Sequence, residues 1–234
     1  EGAVTSIRLS NRLYLILAGI FVFAMMNYLF PLMSRQALEP DTTEFKETYR
    51  RAFENLCFFI IPLSVGALVL SGDMISLLYE RGQFTKEAAG MMGVSFAGFT
   101  PAIFGYSLYE ITSKAYYAGK KVLVPTVISL ATLISTLVLS CIIVFATDLG
   151  IGFVSLSFSL SILFSSVVMV VLFNKANGRI IESRSRNELL RSILGSAVMG
   201  ACIVACRELF MKGDGLTFGM RLFLTFAVAI VGLM

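Results

Sequence analysis

The stretch LLYERGQFT, residues 77–85, runs directly into KEAAGMMGVSFAGFTPAIFGYSLYEITSKAYYAGKKVLVPT, residues 86–126. It begins with a short charged loop: Tyr79, Glu80, Arg81, Gly82, Gln83 and Phe84. A helix is expected from near Thr85, apolar almost without interruption to about Leu108. That helix then meets Glu110 and Lys114, an aromatic pair at Tyr116 and Tyr117, and a stop made of Gly119, Lys120 and Lys121. Roughly 20 apolar residues rising 1.5 Å each cover the ~30 Å hydrocarbon core of a bilayer. Pro125 opens the next apolar run, and the rest of the chain repeats the plan.

The composition agrees. Of 234 residues, 57% are hydrophobic and 15% charged, whereas a soluble domain carries about a quarter charged residues. The apolar residues fall into long blocks separated by short charged loops. Lipid forces every backbone group to be satisfied within a helix or a closed barrel. A barrel would show short segments of strict alternation, and none appear. The fold class read from this is all-α, a polytopic helical membrane protein.

The chain contains no histidine, which removes His-based acid–base chemistry, catalytic triads and His metal sites. The four cysteines, Cys57, Cys141, Cys202 and Cys206, lie in apolar segments. Cys202 and Cys206 share a helix face, but two thiols without further ligands make no zinc site. They read as small buried hydrophobes.

Helix one is expected over residues 2–33. Arg8 and Arg12 lie on one face of its amphipathic first half, and Asn27 interrupts the apolar remainder. Residues 34–51 read as a polar loop in which Pro40, Asp41 and Thr42 make a turn and a helix start, and from Thr43 to Arg51 the charges alternate in a helix-compatible way. Helix two covers residues 52–70 with Pro62 near its middle, followed by a short interfacial turn at 74–79. Helix four covers 122–146 with Pro125 in its first turn. Thr147 to Gly150 reads as a tight turn. Helix five covers 151–173 and is rich in serine, which lets membrane helices approach closely. A basic loop, residues 174–191, carries Lys175, Arg179, Arg184, Arg186 and Arg191. Helix six covers 189–210, and a seventh begins near Met220.

Loops after helices one, three and five hold most of the Lys and Arg. Short basic loops stay in the cytoplasm, so helix one is expected to run from outside to inside and the Arg81 loop to face outward.

Three stretches, in this order and spacing, resemble one family. The first is Ser10–Asn11–Arg12–Leu13–Tyr14, with Gly19–Ile20–Phe21 and Leu29–Phe30–Pro31–Leu32–Met33–Ser34. The second is Leu78–Tyr79–Glu80–Arg81–Gly82–Gln83–Phe84–Thr85. The third is Ala115–Tyr116–Tyr117–Ala118, followed by Lys121 to Pro125–Thr126. Together they resemble the MurJ/MviN family, the lipid II flippases of the MOP transporter superfamily.

The resemblance implies a fourteen-helix protein with two six-helix lobes and two additional C-terminal helices. On that plan residues 1–175 hold helices eight to twelve of the C-terminal lobe. Residues 176–234 hold the basic cytoplasmic loop and helices thirteen and fourteen, the last incomplete. The N-terminal lobe would be missing from this piece and would be a partner of it. The implied function is to move the undecaprenyl-pyrophosphate-linked peptidoglycan precursor from the inner to the outer leaflet of the bacterial cell membrane by alternating access. No enzyme activity and no cofactor are implied, and no phosphate-loop motif is present. The implied partners are the lipid-linked precursor and anionic membrane lipid at the basic loop, with no nucleic acid.

Arg12 aligns with a cavity arginine of the family, and a guanidinium suits a pyrophosphate because its planar fork makes paired charge-assisted bonds. Arg8 shares its face. Asn11 departs from the family pattern, which commonly has an acid there. Arg12, Arg8 and Asn11 are therefore the candidate substrate-binding residues, and Glu110 and Lys114 the candidate cavity charges. By their spacing the last two are expected to pair with each other. Tyr116 and Tyr117 read as interface anchors.

Three rivals stand beside this reading. Another MOP exporter, for oligosaccharide lipids or drugs, is the first; a drug antiporter needs a membrane-embedded acid, for which Glu110 is the candidate. A membrane enzyme acting on prenyl lipids would need clustered acids or histidines. A non-transporting scaffold is the third.

Overall fold

The computed structural model describes residues 2–79, 86–146, 153–178, 180 and 183–210. In them the chain forms seven helices: α1 (Gly2–Gln36), α2 (Thr43–Val69), α3 (Ser71–Tyr79), α4 (Lys86–Ala118), α5 (Leu123–Ala146), α6 (Val154–Asn177) and α7 (Ser183–Phe210). All but α3 are long and apolar enough to cross a membrane. The expected loop at Glu80–Thr85, the turn at Thr147–Gly150 and the helix near Met220 lie outside the described residues.

The helix expected from residues 77–126 is α4, and it forms the hub of the bundle, packing on α1, α2, α3 and α6. Lipid tails are as apolar as leucine, so burial alone does not draw these helices together; close packing and hydrogen bonds between helices do. Small residues carry the α4–α6 contact. Ser159 Oγ donates to the Gly98 carbonyl at 2.5 Å, and a Cβ on Gly105 would sit 3.0 Å from the Leu163 nitrogen. The serines of α6 (155, 157, 159, 161, 165 and 166) are all buried, as their close-packing role requires. On the far side of α6, Thr132 Oγ1 of α5 donates to Ser165 Oγ at 2.6 Å.

Several boundaries differ from the sequence reading. Helix two begins at Thr43, so most of the expected polar loop is helical. The reason is local: Phe45, Tyr49, Ala52 and Phe53 recur on one face and are buried. The opposite face is laced by Arg50–Glu47, Arg50–Glu54 and Arg51–Glu47 ion pairs of 2.8–2.9 Å at helical spacing. Asp41 anchors the start, accepting hydrogen bonds from the Thr43 amide at 2.9 Å and the Thr43 hydroxyl at 2.6 Å. These two bonds hold the Asp41 carboxyl below its usual value, the hydroxyl contributing more.

The expected interfacial turn at 74–79 is the full helix α3, laid against α4 where Gly72 and Gly93 meet. The basic loop is short. Helix α6 runs on to Asn177 and α7 starts at Ser183, which leaves five residues between them. Helix α7 docks on α2 at two levels: Ser185 Oγ donates to Glu54 Oε1 at 2.6 Å, and Leu70, Met199 and Ile203 form a small apolar cluster.

Tyr116 is not an interface anchor. It is 2% exposed and sits edge-on to Phe173, 5.0 Å between ring centroids. Tyr49 and Phe45 close on the same Phe173 ring from α2. This four-ring cluster ties α2, α4 and α6 together at one end of the bundle. Among the described residues Cys57 is buried, Cys141 and Cys202 are exposed on apolar helix faces, and all three are free. The side chain of Cys206 lies outside the described residues.

Candidate functional site

One face of α1 is fixed against α4. Ser10 Oγ donates to the Met92 carbonyl at 3.1 Å and Tyr14 stacks on Phe99 at 5.1 Å; further along, Phe30, in phase with Arg12 rather than with these two, meets Lys114. The partners follow in the same order along both helices, so α1 and α4 run parallel. Tyr14 also touches Phe158 of α6 and stands edge-on to Tyr106, which closes the aromatic contact.

The opposite face of α1 has no partner within the described residues. At 3.6 residues per turn, Arg8, Arg12, Ile16, Ile20, Phe23 and Asn27 fall along it, and all six are exposed. Asn11 lies at its edge, half-buried. Neither Arg8 nor Arg12 makes an ion pair with a carboxylate of the described residues. Arg12 nonetheless sits inside a candidate membrane span, Val4–Gln36. An arginine placed there needs a water-filled cavity, an anion or an interface.

Glu110 and Lys114 stand one turn apart on α4, and both are half-buried. They do not pair with each other. The Lys114 ammonium lies over two rings instead, 5.8 Å from the centroid of Phe30 and 5.7 Å from that of Tyr117. Helical spacing puts the acid and the base one turn apart, yet Lys114 turns to the ring of Phe30 on α1 and to that of Tyr117 on its own helix. Asn27, the polar break in the apolar run of α1, shares the exposed face with Arg8 and Arg12 but was not among the site residues expected from the sequence.

Along the exposed face of α1, Arg8 and Arg12 lie near one end, Ile16, Ile20 and Phe23 in the middle and Asn27 beyond them, and further along Lys114 of α4 stands over Phe30. From Arg12 to Asn27 the helix rises about 22 Å. Such a face can hold an anion and lipid side by side. Among the described residues no cluster of ligands could hold a metal ion.

The model of the family described as "Lipid II flippase MurJ" matches residues 1–224. Two relatives carry the name "Probable lipid II flippase MurJ". That of Thermotoga maritima is 26% identical over 217 residues, covering 93% of this chain and 43% of its own. That of Aquifex aeolicus is 26% identical over 209 residues, covering 89% and 40%. The chain thus spans less than half the length of the curated relatives it matches. A solved structure of a lipid II flippase MurJ in an inward closed conformation superposes with a TM-score of 0.80 at 21% identity. It covers all of this chain and 46% of that one, and so shares its fold. On the match across nearly its whole length, the chain belongs to the lipid II flippase MurJ family.

Proposed function

We propose that this chain supplies the C-terminal part of a bacterial lipid II flippase, and that the open face of α1 is its share of the substrate path. The observation that carries the reading is Arg12: a guanidinium within a membrane span, turned away from the packed side of α1 and without an acidic partner. The anion it suits is the pyrophosphate of an undecaprenyl-linked peptidoglycan precursor, with Arg8 adding positive potential and Asn11 a neutral hydrogen-bonding group. An N-terminal lobe of the same protein would face α1 and complete the path. The basic residues at the short loops place those loops in the cytoplasm of the cell that houses the protein, where they would also touch anionic lipid. The activity is transport by rearrangement of two lobes, with no chemical step and no cofactor.

The test uses the full-length protein that contains this chain, expressed in bacteria depleted of their own lipid II flippase. Rescue of growth by that protein and loss of rescue by an equally abundant Arg12→Ala variant is the expected result. Rescue by both would keep the function and remove Arg12 from it. Failure of the well-expressed unmutated protein would favour an exporter of another lipid-linked glycan or of drugs.

A further inference from the structure

We infer that Lys114 is a second anion station, which receives the pyrophosphate headgroup at the cytoplasmic end of the α1 face that carries Arg12, where Phe30 falls in phase with Arg12, before it reaches Arg12. The inference rests on the flippase reading above. Lys114 has three N–H donors, and no acceptor among the described residues takes them: its contacts are the faces of Phe30 and Tyr117. The nearest acid in sequence, Glu110, makes no ion pair with it among the described residues.

A lysine near a helix end ordinarily snorkels to water. Lys114 instead turns back towards α1. Phe30 lies six residues before the end of α1 at Gln36, a depth of about 9 Å along that helix. The exposed turn beyond α4 already carries Lys120 and Lys121. Ring faces attract an ammonium without using its N–H donors. Phe30 and Tyr117 therefore fix where the charge stands and leave its hydrogen bonds for an incoming anion. The height separates the two stations: Phe30 is about 27 Å of helix rise below Arg12, close to the thickness of the hydrocarbon core. One cation stands near each end of the face, with Ile16, Ile20 and Phe23 between them.

The ligand chemistry is a phosphate anion at headgroup depth, and two lipids could bring it. The experiment measures binding of undecaprenyl pyrophosphate and, separately, of phosphatidylglycerol to the purified full-length protein in nanodiscs. The proteins compared are the unmutated form, Lys114→Ala, Lys114→Arg, Phe30→Leu and a surface control, Lys120→Ala. Lys114→Ala is expected to weaken pyrophosphate binding about tenfold, the loss of one charge-assisted contact. Lys114→Arg should restore most of it. Phe30→Leu, which keeps the charge but removes a ring, should give a smaller loss, and Lys120→Ala none.

Unchanged pyrophosphate binding by Lys114→Ala would overturn the inference while leaving the flippase reading intact. Equal weakening for phosphatidylglycerol would also overturn it, since Lys114 would then be a general lipid contact. An unmutated protein that does not prefer undecaprenyl pyrophosphate would instead sink the flippase reading itself.

Discussion

The Tyr49 hydroxyl and Thr112 Oγ1 lie 3.0 Å apart inside the bundle, joining α2 to α4. Thr112 Oγ1 also donates to the Leu108 carbonyl of its own helix at 2.8 Å, so in the pair Tyr49 is the donor and Thr112 the acceptor. Tyr49→Phe removes that donor and leaves Thr112 still bonded. Such bonds between membrane helices are worth about 0.6 kcal/mol on average, and the expected loss is of that order. Tyr49→Ala also removes the ring tilted against Phe173, 4.5 Å between centroids, and a lost aromatic core side chain costs about 3–5 kcal/mol. Thermal unfolding of the two variants in one detergent should therefore separate them widely. A Tyr49→Phe protein as unstable as Tyr49→Ala would show that the hydroxyl, not the ring, holds this junction.

The α4–α6 contact makes a second prediction, because its two glycines meet different atoms. A Cβ on Gly98 would collide with the Ser155 hydroxyl and come within 3.2 Å of the Leu156 nitrogen; one on Gly105 would come within 3.0 Å of the Leu163 nitrogen and 3.2 Å of its Cα. Gly98→Ala and Gly105→Ala are both expected to destabilise the bundle, by about 1–3 kcal/mol as overpacking does. Adding Ser155→Ala should recover part of the loss at Gly98, since the hydroxyl is the worst clash. No such trimming helps Gly105, where backbone is in the way. Unfolding midpoints of the two singles and the Gly98→Ala/Ser155→Ala double mutant test the contrast; equal stability of that double mutant and Gly98→Ala would refute it.

The helices and the hub were legible in the sequence because lipid leaves the chain few choices: a long apolar block must be a helix. The start of α2 was legible at Asp41 and Thr42, but its continuity with the apolar helix after residue 52 was not, since charge reads as loop on a hydropathy scale. Phe45, Tyr49, Ala52 and Phe53 show the buried stripe only once charged residues are allowed on the other face of the same helix. Among the candidate site residues, Arg8 and Arg12 were legible by their spacing. The partners of Lys114 were not. Phe30 lies on another helix, and nothing along the chain says which ring will cross which groove.

Asp41 gives a pH prediction. Its carboxyl is held below the ordinary value by the hydroxyl and amide of Thr43. A carboxyl lowered on folding contributes stability above its unfolded pKa, and the contribution is lost as pH falls through the folded one. At neutral pH Asp41→Ala should therefore fray the first turn of α2 relative to the unmutated protein. The difference should shrink as pH drops below the ordinary carboxylate range. Amide exchange of residues 43–46 across that range is the measurement, and a difference that persists undiminished into strong acid would mean that Asp41 acts by shape rather than by charge. The side chain is exposed, so the effect should remain local to that turn.

The end of α4 gives the last prediction. The helix stops with Lys120, not Gly119, at φ +58°, where its amide donates to the Tyr117 carbonyl at 3.0 Å and that of Lys121 to Tyr116 at 2.9 Å. A left-handed residue at this place satisfies the last carbonyls of a helix and is usually glycine. A lysine there carries a Cβ that crowds the backbone, at a cost on the order of 1 kcal/mol. Lys120→Gly should therefore stabilise the protein by a similar amount, less the wider freedom glycine gives the unfolded chain. Gly119→Lys/Lys120→Gly keeps the charge of the turn and should be stabilised as well, since Gly119 has no positive φ to protect. A drop in melting temperature for both variants would show that Lys120 holds the turn through its ammonium rather than straining it through its backbone.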